Sequence, residues 1–301
     1  MKILLLGGSG QLGSEINTSV KKIENIELLS PSKKELNIEK RDDFDNYLQN
    51  FKPNIVINSA AFTDVDGAEE NKNLSDNINF KSVENIVLSL KDKDIFFIQI
   101  STDYVFGERG NPPYKSEDET SPVTFYGKSK QKAELSILKN LSNFIIIRTA
   151  SLIGLSGNNF FKTVIKNLVN KNELNIINDQ KISVTWSREL ANTITNICKD
   201  FPKIKESDNK IFHIVNRGYT NWYELSKEIE INYNKLVKER DSISLINPIS
   251  RKEWNSNAKR PLDSRLLISE NIIDNNCNMS FWKDAIRLLI KDYEKYGGLD
   301  N

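Results

Sequence analysis

Through the first half of the chain, short apolar runs alternate with longer amphipathic ones. Ile3–Leu6, Ile26–Leu29, Ile55–Asn58, Ile95–Ile100 and Phe144–Ile147 read as strands buried on both faces. Phe44–Phe51 and Leu74–Leu90 instead repeat their apolar residues at helical spacing, and Leu74, Ile78, Val83, Ile86, Val87 and Leu90 should share one stripe. Continuous apolar strands separated by helices predict an α/β chain with a parallel sheet covered on both sides. The second half is less regular. Helices are expected at Phe160–Val169, at Ser187–Cys198, from Trp222 to Ile231 with capping side chains from Thr220 and Asn221, and at Phe281–Tyr296; strands are expected at Leu174–Ile177 and Ile211–Val215. At roughly 150 residues per domain, the 301 residues divide into residues 1–150, which should also receive part of 186–215, and a smaller, discontinuous α+β lobe drawn mainly from 151–301.

The first strand runs into Gly7-Gly8-Ser9-Gly10-Gln11-Leu12-Gly13, and a helix follows. Side chains at Gly7, Gly10 and Gly13 would obstruct the turn, the approach of a pyrophosphate, or helix–strand packing. The helix N-terminus offers unpaired N–H groups and a partial positive charge to phosphates. In this position the motif favours a dinucleotide and a Rossmann-type doubly wound sheet, the alternative being a tight turn without a ligand. NAD-selective sites usually carry an acidic residue at the end of the second strand. Here that end reads Leu29-Ser30-Pro31-Ser32-Lys33-Lys34-Glu35, which suits the 2′-phosphate of NADPH better than NADH, unless Lys33 and Lys34 are only solvated loop charges.

Several classes drop out. With 42 basic against 41 acidic residues, no global field gathers nucleic acid or a membrane surface. Cys198 and Cys277 are too few for a disulfide framework or a multi-thiolate metal site. The lone His213, inside an apolar strand, reads as a packed structural residue and removes paired-His zinc motifs. No apolar run approaches the ~18 residues of a membrane span, and the N-terminal one is too short for a signal core, so a cytoplasmic protein is expected.

Tyr126 and Lys130 lie four apart, on one helix face. An ammonium beside a phenol lowers the phenol's pKa, and such a pair suits ketone reduction, with hydride from a nicotinamide and a proton from the tyrosine. Tyr223 and Lys227 repeat the spacing, so context must decide. Tyr126 follows a buried strand ending in Ser101-Thr102-Asp103-Tyr104-Val105-Phe106, and ligands of open α/β sheets bind beyond such ends. The hydroxyl of Thr102 could bond the same substrate oxygen. At Asn58-Ser59-Ala60-Ala61-Phe62-Thr63, small residues would let a cofactor lie close to the backbone.

In this order these pieces resemble the extended short-chain dehydrogenase/reductase family and, more narrowly, its dTDP-4-dehydrorhamnose reductase branch. The resemblance runs nearly end to end and includes Val65-Asp66-Gly67-Ala68-Glu69, Asn158-Asn159-Phe160, Ile177-Asn178-Asp179-Gln180, Thr220-Asn221-Trp222-Tyr223 and Arg260-Pro261-Leu262-Asp263-Ser264-Arg265-Leu266. It implies a cytoplasmic oxidoreductase that takes NADPH or NADH and reduces the 4-keto group of a dTDP-linked keto-deoxy sugar, giving dTDP-L-rhamnose. Tyr126 would be the proton donor, assisted by Lys130 and Thr102. Gly7, Gly10, Gln11, Leu12, Gly13, Ala60, Ala61, Phe62, Tyr126 and Lys130 would hold the cofactor. Thr102, Asp103, Ser151 and Arg260 would face the nucleotide sugar, in the lobe drawn from 151–301. Some family members form a homodimer through Mg2+, and Glu15, Glu189 and Asp292 fall at matching places. The chain departs from the family at Ser151, where a substrate-contacting Trp is usual, and at Val184, where the usual motif carries Pro. Losing an aromatic from a sugar pocket removes stacking area. A reductase of another keto-deoxy nucleotide sugar, or a non-catalytic NADP-binding regulatory subunit, therefore stays open beside the main reading.

Overall fold

A computed structural model describes residues 1–107, 109–206, 208–238, 246–254, 256–270 and 279–296; Cys277 lies outside them. The first half alternates strand and helix as β1 (Lys2–Leu6), α1 (Gln11–Val20), β2 (Glu27–Leu29), α2 (Arg41–Phe51), β3 (Ile55–Asn58), α3 (Val65–Glu70), α4 (Lys72–Asp76), α5 (Ser82–Leu90), β4 (Phe96–Thr102), α6 (Phe125–Asn140) and β5 (Phe144–Thr149). There follow β6 (Leu152–Ile153), α7 (Phe160–Val169), β7 (Leu174–Ile177), β8 (Lys181–Ile182), β9 (Thr185–Trp186), α8 (Ser187–Lys199), α9 (Phe201–Lys205), β10 (Ile211–His213), β11 (Thr220–Asn221), α10 (Trp222–Leu236), β12 (Ile246–Ile249) and α11 (Trp282–Lys295).

Six parallel strands form one sheet in the order β10-β5-β4-β3-β1-β2. Side chains alternate across it with the period of two that a strand imposes. Ile3, Leu5, Ile57 and Ile98 meet Leu12 and Ile16 of α1 and Leu190 and Ile194 of α8. Leu4, Leu6, Val56 and Phe97 meet Phe44, Val83, Ile86 and Ile137 on the opposite side. At about 1.5–3 kcal/mol for each buried large aliphatic side chain, this two-sided burial is the main force holding the doubly wound sheet. Both α8, which packs along α1, and β10, which pairs with β5, come from the second half of the chain. The remaining elements surround a second core in which Phe161, Ile165, Leu225, Ile229, Trp282 and Ile286 interlock. Among the described residues, no helix is long and apolar enough to cross a membrane.

Three local expectations need correction. The strand at Ile26–Leu29 is not buried on both faces: β2 is the sheet edge, with Glu27 exposed and Leu28 and Leu29 half-buried. The stripe over Leu74–Leu90 is broken, because a π-helical turn at Asn77–Lys81 separates α4 from α5. A π turn adds a residue to one turn and rotates everything before it around the axis. Leu74 therefore faces solvent at 43% exposure, whereas Val83, Ile86, Val87 and Leu90 are buried. At α10 only Asn221 caps, accepting from the Glu224 N–H at 2.7 Å, while the Thr220 hydroxyl donates to the Asn221 carbonyl.

His213 is fully buried on β10. Its Nδ1 lies 3.1 Å from the Tyr114 carbonyl and its Nε2 3.4 Å from Arg148, with Phe106 edge-on to the ring. These partners assign a neutral ring that donates from Nδ1 and accepts at Nε2. Burial, with Arg148 adding to it, pulls the imidazole down to about 3. The unfolded chain, with an ordinary value near 6.5, then binds more protons than the folded one, so stability is lost as pH falls from about 6.5 toward 3. Between pH 7 and pH 5 linkage gives a loss of about 2 kcal/mol from this group. His213→Asn keeps an N–H donor and lacks the titration. In urea unfolding at the two pH values, wild type should lose more stability than the variant; equal losses would contradict a neutral buried ring.

Candidate active site

β1 lies between β2 and β3, and the helices that follow β1 and β3, α1 and α5, pack on opposite faces of the sheet, so a crevice opens beyond the carboxyl ends of these strands. A cavity of ≈ 280 Å³ occupies that place, lined by Gly7, Gly8, Ser9 and Gly10, by Lys33, Leu36 and Ile38, and by Ala60, Ala61 and Ile78. Gly7 has φ +78°, and a Cβ on it would stand 2.6 Å from the Ala60 nitrogen. A Cβ on Gly13 would stand 2.1 Å from the Gly7 carbonyl oxygen. Glycine is therefore required at both ends of the turn. No side chain caps α1 at Gly10, which leaves first-turn N–H groups without helical acceptors. Gln11 Nε2 and Ser187 Oγ, both near Gly154, are buried without a hydrogen-bond partner. The uncapped N–H groups that open α1 beside the cavity fit the diphosphate of a dinucleotide. Of the two lysines after β2, Lys33 borders the cavity and pairs with Glu39 at 3.5 Å, whereas Lys34 is not part of the lining.

The small-residue segment after β3 is held by a side chain that sequence reasoning missed. Asn79, in the π turn, accepts from the Phe62 N–H at 2.8 Å and donates to the Phe62 carbonyl at 3.0 Å. It also donates to the Ser129 hydroxyl on α6. The only signal for it was a buried amide amid the apolar residues of a helical segment.

The N-terminus of α6 is capped by Thr124, whose hydroxyl accepts from the Gly127 N–H at 3.0 Å. Gly127 lets the helix approach the end of β4, since a Cβ there would stand 2.0 Å from the Tyr104 carbonyl. Tyr126 and Lys130, one turn apart, are both buried. Thr102, at the end of β4, lies near enough to the Tyr126 hydroxyl to favour its charged form, and the Tyr126 ring meets that of Tyr104 edge-on at 5.9 Å. Thr102 also donates to Asp103 at 3.0 Å. Burial pushes the Asp103 carboxyl up to about 6 against hydrogen bonds from Ser264 and Thr102.

The expected lowering of the Tyr126 phenol does not occur. Burial pushes it up to about 12, with Asp103 adding to the rise and Thr102 opposing it. Burial likewise pulls Lys130 down to about 8 against the attraction of Glu134, and its ammonium donates to the Ile100 carbonyl at 2.7 Å rather than to the phenol. Desolvation outweighs the neighbouring charge because both groups lie inside the protein. At neutral pH the phenol is protonated and able to give its proton away.

From the second half, Arg260 reaches across to α3, where Nη1 and Nη2 bond Asp66 at 3.2 and 2.5 Å. Asp66 also accepts from the Ala258 N–H and the Ser256 hydroxyl. Burial pushes the Asp66 carboxyl up, but Arg260, Ala258 and Ser256 outweigh it and hold it at about 2. Tyr104, whose ring meets that of Tyr126, lies within electrostatic reach of Arg260. Sequence reasoning quoted Asp66 and Tyr104 within motifs without assigning either a part in the site. Ser151, with φ +41°, follows β5, whose Thr149 is in register with Thr102. The rival pair lies elsewhere: Tyr223 borders the second core and Lys227 bonds Glu230.

The three proposed magnesium ligands do not converge. Glu15 and Asp292 both bond Arg188, and Glu189 accepts from Asn216 and Ser280. Among the described residues no three His, Cys, Asp or Glu side chains are grouped to hold a metal. The guanidinium already supplies the positive charge between Glu15 and Asp292, so these residues do not fit magnesium within one chain.

Comparison with known proteins gives a consistent picture. A family model described as the RmlD substrate binding domain matches residues 1–295. The spore coat polysaccharide biosynthesis protein SpsK of Bacillus subtilis is 30% identical over 291 residues, 97% of each chain. A dTDP-4-dehydrorhamnose reductase of Aggregatibacter actinomycetemcomitans is 28% identical over 288 residues, 95% of this chain and 97% of the relative. The crystal structure of dTDP-4-dehydrorhamnose reductase from Bacillus anthracis in complex with NADP superposes with a TM-score of 0.85 at 25% identity, covering 97% of this chain and 99% of that one.

Proposed function

This chain belongs to the RmlD substrate-binding-domain family, and from that premise we propose that it is an oxidoreductase that reduces the 4-keto group of dTDP-4-dehydro-6-deoxy-L-mannose to dTDP-L-rhamnose with NADPH. The observation that carries the reading is the buried Tyr126, beside Thr102 and one turn from the buried Lys130, at the carboxyl end of the sheet. NADPH, when bound, supplies the hydride that adds to the keto carbon. Tyr126 gives its proton to the oxygen as it becomes an alkoxide. Thr102 bonds the same oxygen and orients it, and the Lys130 ammonium stabilises the phenolate left behind. Gly7, Gly10, Gln11, Leu12, Gly13, Ala60, Ala61 and Phe62 hold the cofactor in the crevice. Arg260 and Asp103, with Ser151, face the nucleotide sugar. Residues 1–150 with part of 186–215 serve the dinucleotide, and the rest of 151–301 serves the sugar.

Both charged small molecules belong to the cytoplasm, which is where we place the reaction. A homodimer bridged by magnesium would require Arg188 to release Glu15 and Asp292, so no metal enters the scheme.

The test is the loss of NADPH absorbance on adding dTDP-4-dehydro-L-rhamnose, with dTDP-L-rhamnose as product. Binding of NADPH without oxidation would defeat the reading. A panel of other dTDP-linked keto-deoxy sugars belongs in the same assay, because Ser151 leaves space where the branch usually carries an indole. Preference for NADPH over NADH rests on Lys33 swinging from Glu39 to the 2′-phosphate. An exposed charge-assisted bond of about 1 kcal/mol makes Lys33→Ala raise KM for NADPH roughly fivefold and leave that for NADH unchanged. Equal effects on both cofactors would exclude Lys33 as the selector.

A further inference from the structure

Tyr126, Lys130 and Glu134 follow one another at four-residue spacing on α6, so they share the helix face turned toward the end of β4. The reaction as described uses the first two. Glu134 is 2% exposed. It accepts from the Ser101 hydroxyl at 2.5 Å and is gripped by Arg148 of β5 through Nε at 3.0 Å and Nη2 at 2.7 Å. One turn earlier, Lys130 donates to the carbonyl of Ile100. Successive turns of α6 thus hold successive residues of β4, and the next residue along the strand is Thr102.

Holding two chain segments together does not require an ion pair at this depth. A buried carboxylate and guanidinium are costly to desolvate, and apolar residues of similar volume often replace such pairs without loss of stability. A negative charge one turn from Lys130 has a use that an apolar contact lacks. We propose that Glu134 is a positioning residue for the Tyr126–Lys130 pair: through Ser101 it fixes the strand end that carries Thr102, and through its charge it keeps the neighbouring ammonium protonated inside the protein. The proposal rests on the reading of Tyr126 as proton donor.

The charged and titratable groups around Lys130 come from four elements. Tyr126 and Glu134 share its helix, Asp103 follows β4 and acts on Tyr126, Arg148 of β5 pairs with Glu134, and His213 of β10 is neutral behind Arg148. Among them Glu134 is the group that opposes the effect of burial on Lys130.

The experiment follows Lys130 by NMR of protein labelled at lysine 13Cε, with its signal identified from Lys130→Arg. Glu134→Gln should move the Lys130 titration down by at least one pH unit. Ser101→Ala, which leaves the Glu134–Arg148 pair intact, should leave the titration in place. The same Ser101→Ala should lower kcat about tenfold, with KM for NADPH unchanged. If Glu134→Gln does not fold, Glu134→Gln combined with Arg148→Met is compared with Arg148→Met alone, so that the effect of losing the guanidinium cancels. A Lys130 titration that stays put without Glu134 overturns the proposal, as does an undiminished kcat in Ser101→Ala. The titration needs no substrate, so a wild-type protein that fails to reduce the sugar counts against the proposed reaction and leaves the test of Glu134 standing.

Discussion

Tyr126→Phe is expected to lower kcat at least ~100-fold, the usual contribution of a positioned general acid, while the Kd for NADPH stays within about threefold. The variant should fold normally, because phenylalanine keeps the edge-on contact with Tyr104 and fills the same buried space. What it removes is one hydroxyl, the group proposed to protonate the developing alkoxide. Steady-state NADPH oxidation together with cofactor titration by fluorescence separates the two effects. Turnover within a few-fold of wild type would mean that another group or water supplies the proton, and the assignment of Tyr126 would fall. A parallel loss of cofactor affinity would show that the ring holds the nicotinamide and would leave the proton unassigned.

Arg148→Met is expected to destabilise the protein by about 3–5 kcal/mol, the cost of leaving a buried charge without its partner. Arg148 is 2% exposed and meets Glu134, the Ser116 carbonyl at 3.2 Å, His213 Nε2 at 3.4 Å and the ring of Phe106 at 5.0 Å. Methionine preserves much of the packing volume and none of the charge. Denaturant unfolding should show the loss as a lower midpoint at unchanged slope. Adding Glu134→Gln should recover part of it, because the uncompensated carboxylate is then gone. A loss below about 1 kcal/mol for the single variant would mean that water reaches Glu134 in the folded protein.

The parts of this molecule that were legible in the sequence depend on neighbours along the chain. The central strands β3, β4 and β5 could be read because their buried residues are mostly apolar on both faces, while the buried Asn58 and Gln99 bond each other across β3 and β4. The turn from Gly7 to Gly13 could be read because its sterics are local, as the contacts of 2.6 and 2.1 Å facing a hypothetical Cβ show. Tyr126 and Lys130 could be paired because a helix returns to one face every four residues. Local reading failed where the pattern is broken by something nonlocal. The π turn at Asn77–Lys81 is stabilised by what Asn79 meets on the segment after β3 and on α6, so the apolar period alone carried Leu74 onto the wrong face.

Sequence by itself thus determined the doubly wound sheet, the glycine turn and the spacing of Tyr126 and Lys130. Tertiary structure alone decided that Asp66 holds Arg260 across 194 positions, and that Glu134 and His213 both meet Arg148. It also decided the sign of the shift at Tyr126. A lysine four residues away predicts a lowered phenol, yet burial pushes it up through desolvation. Periodicity and backbone sterics act between adjacent residues and are written in the chain. Desolvation and charge depend on distances that exist only after distant segments have packed.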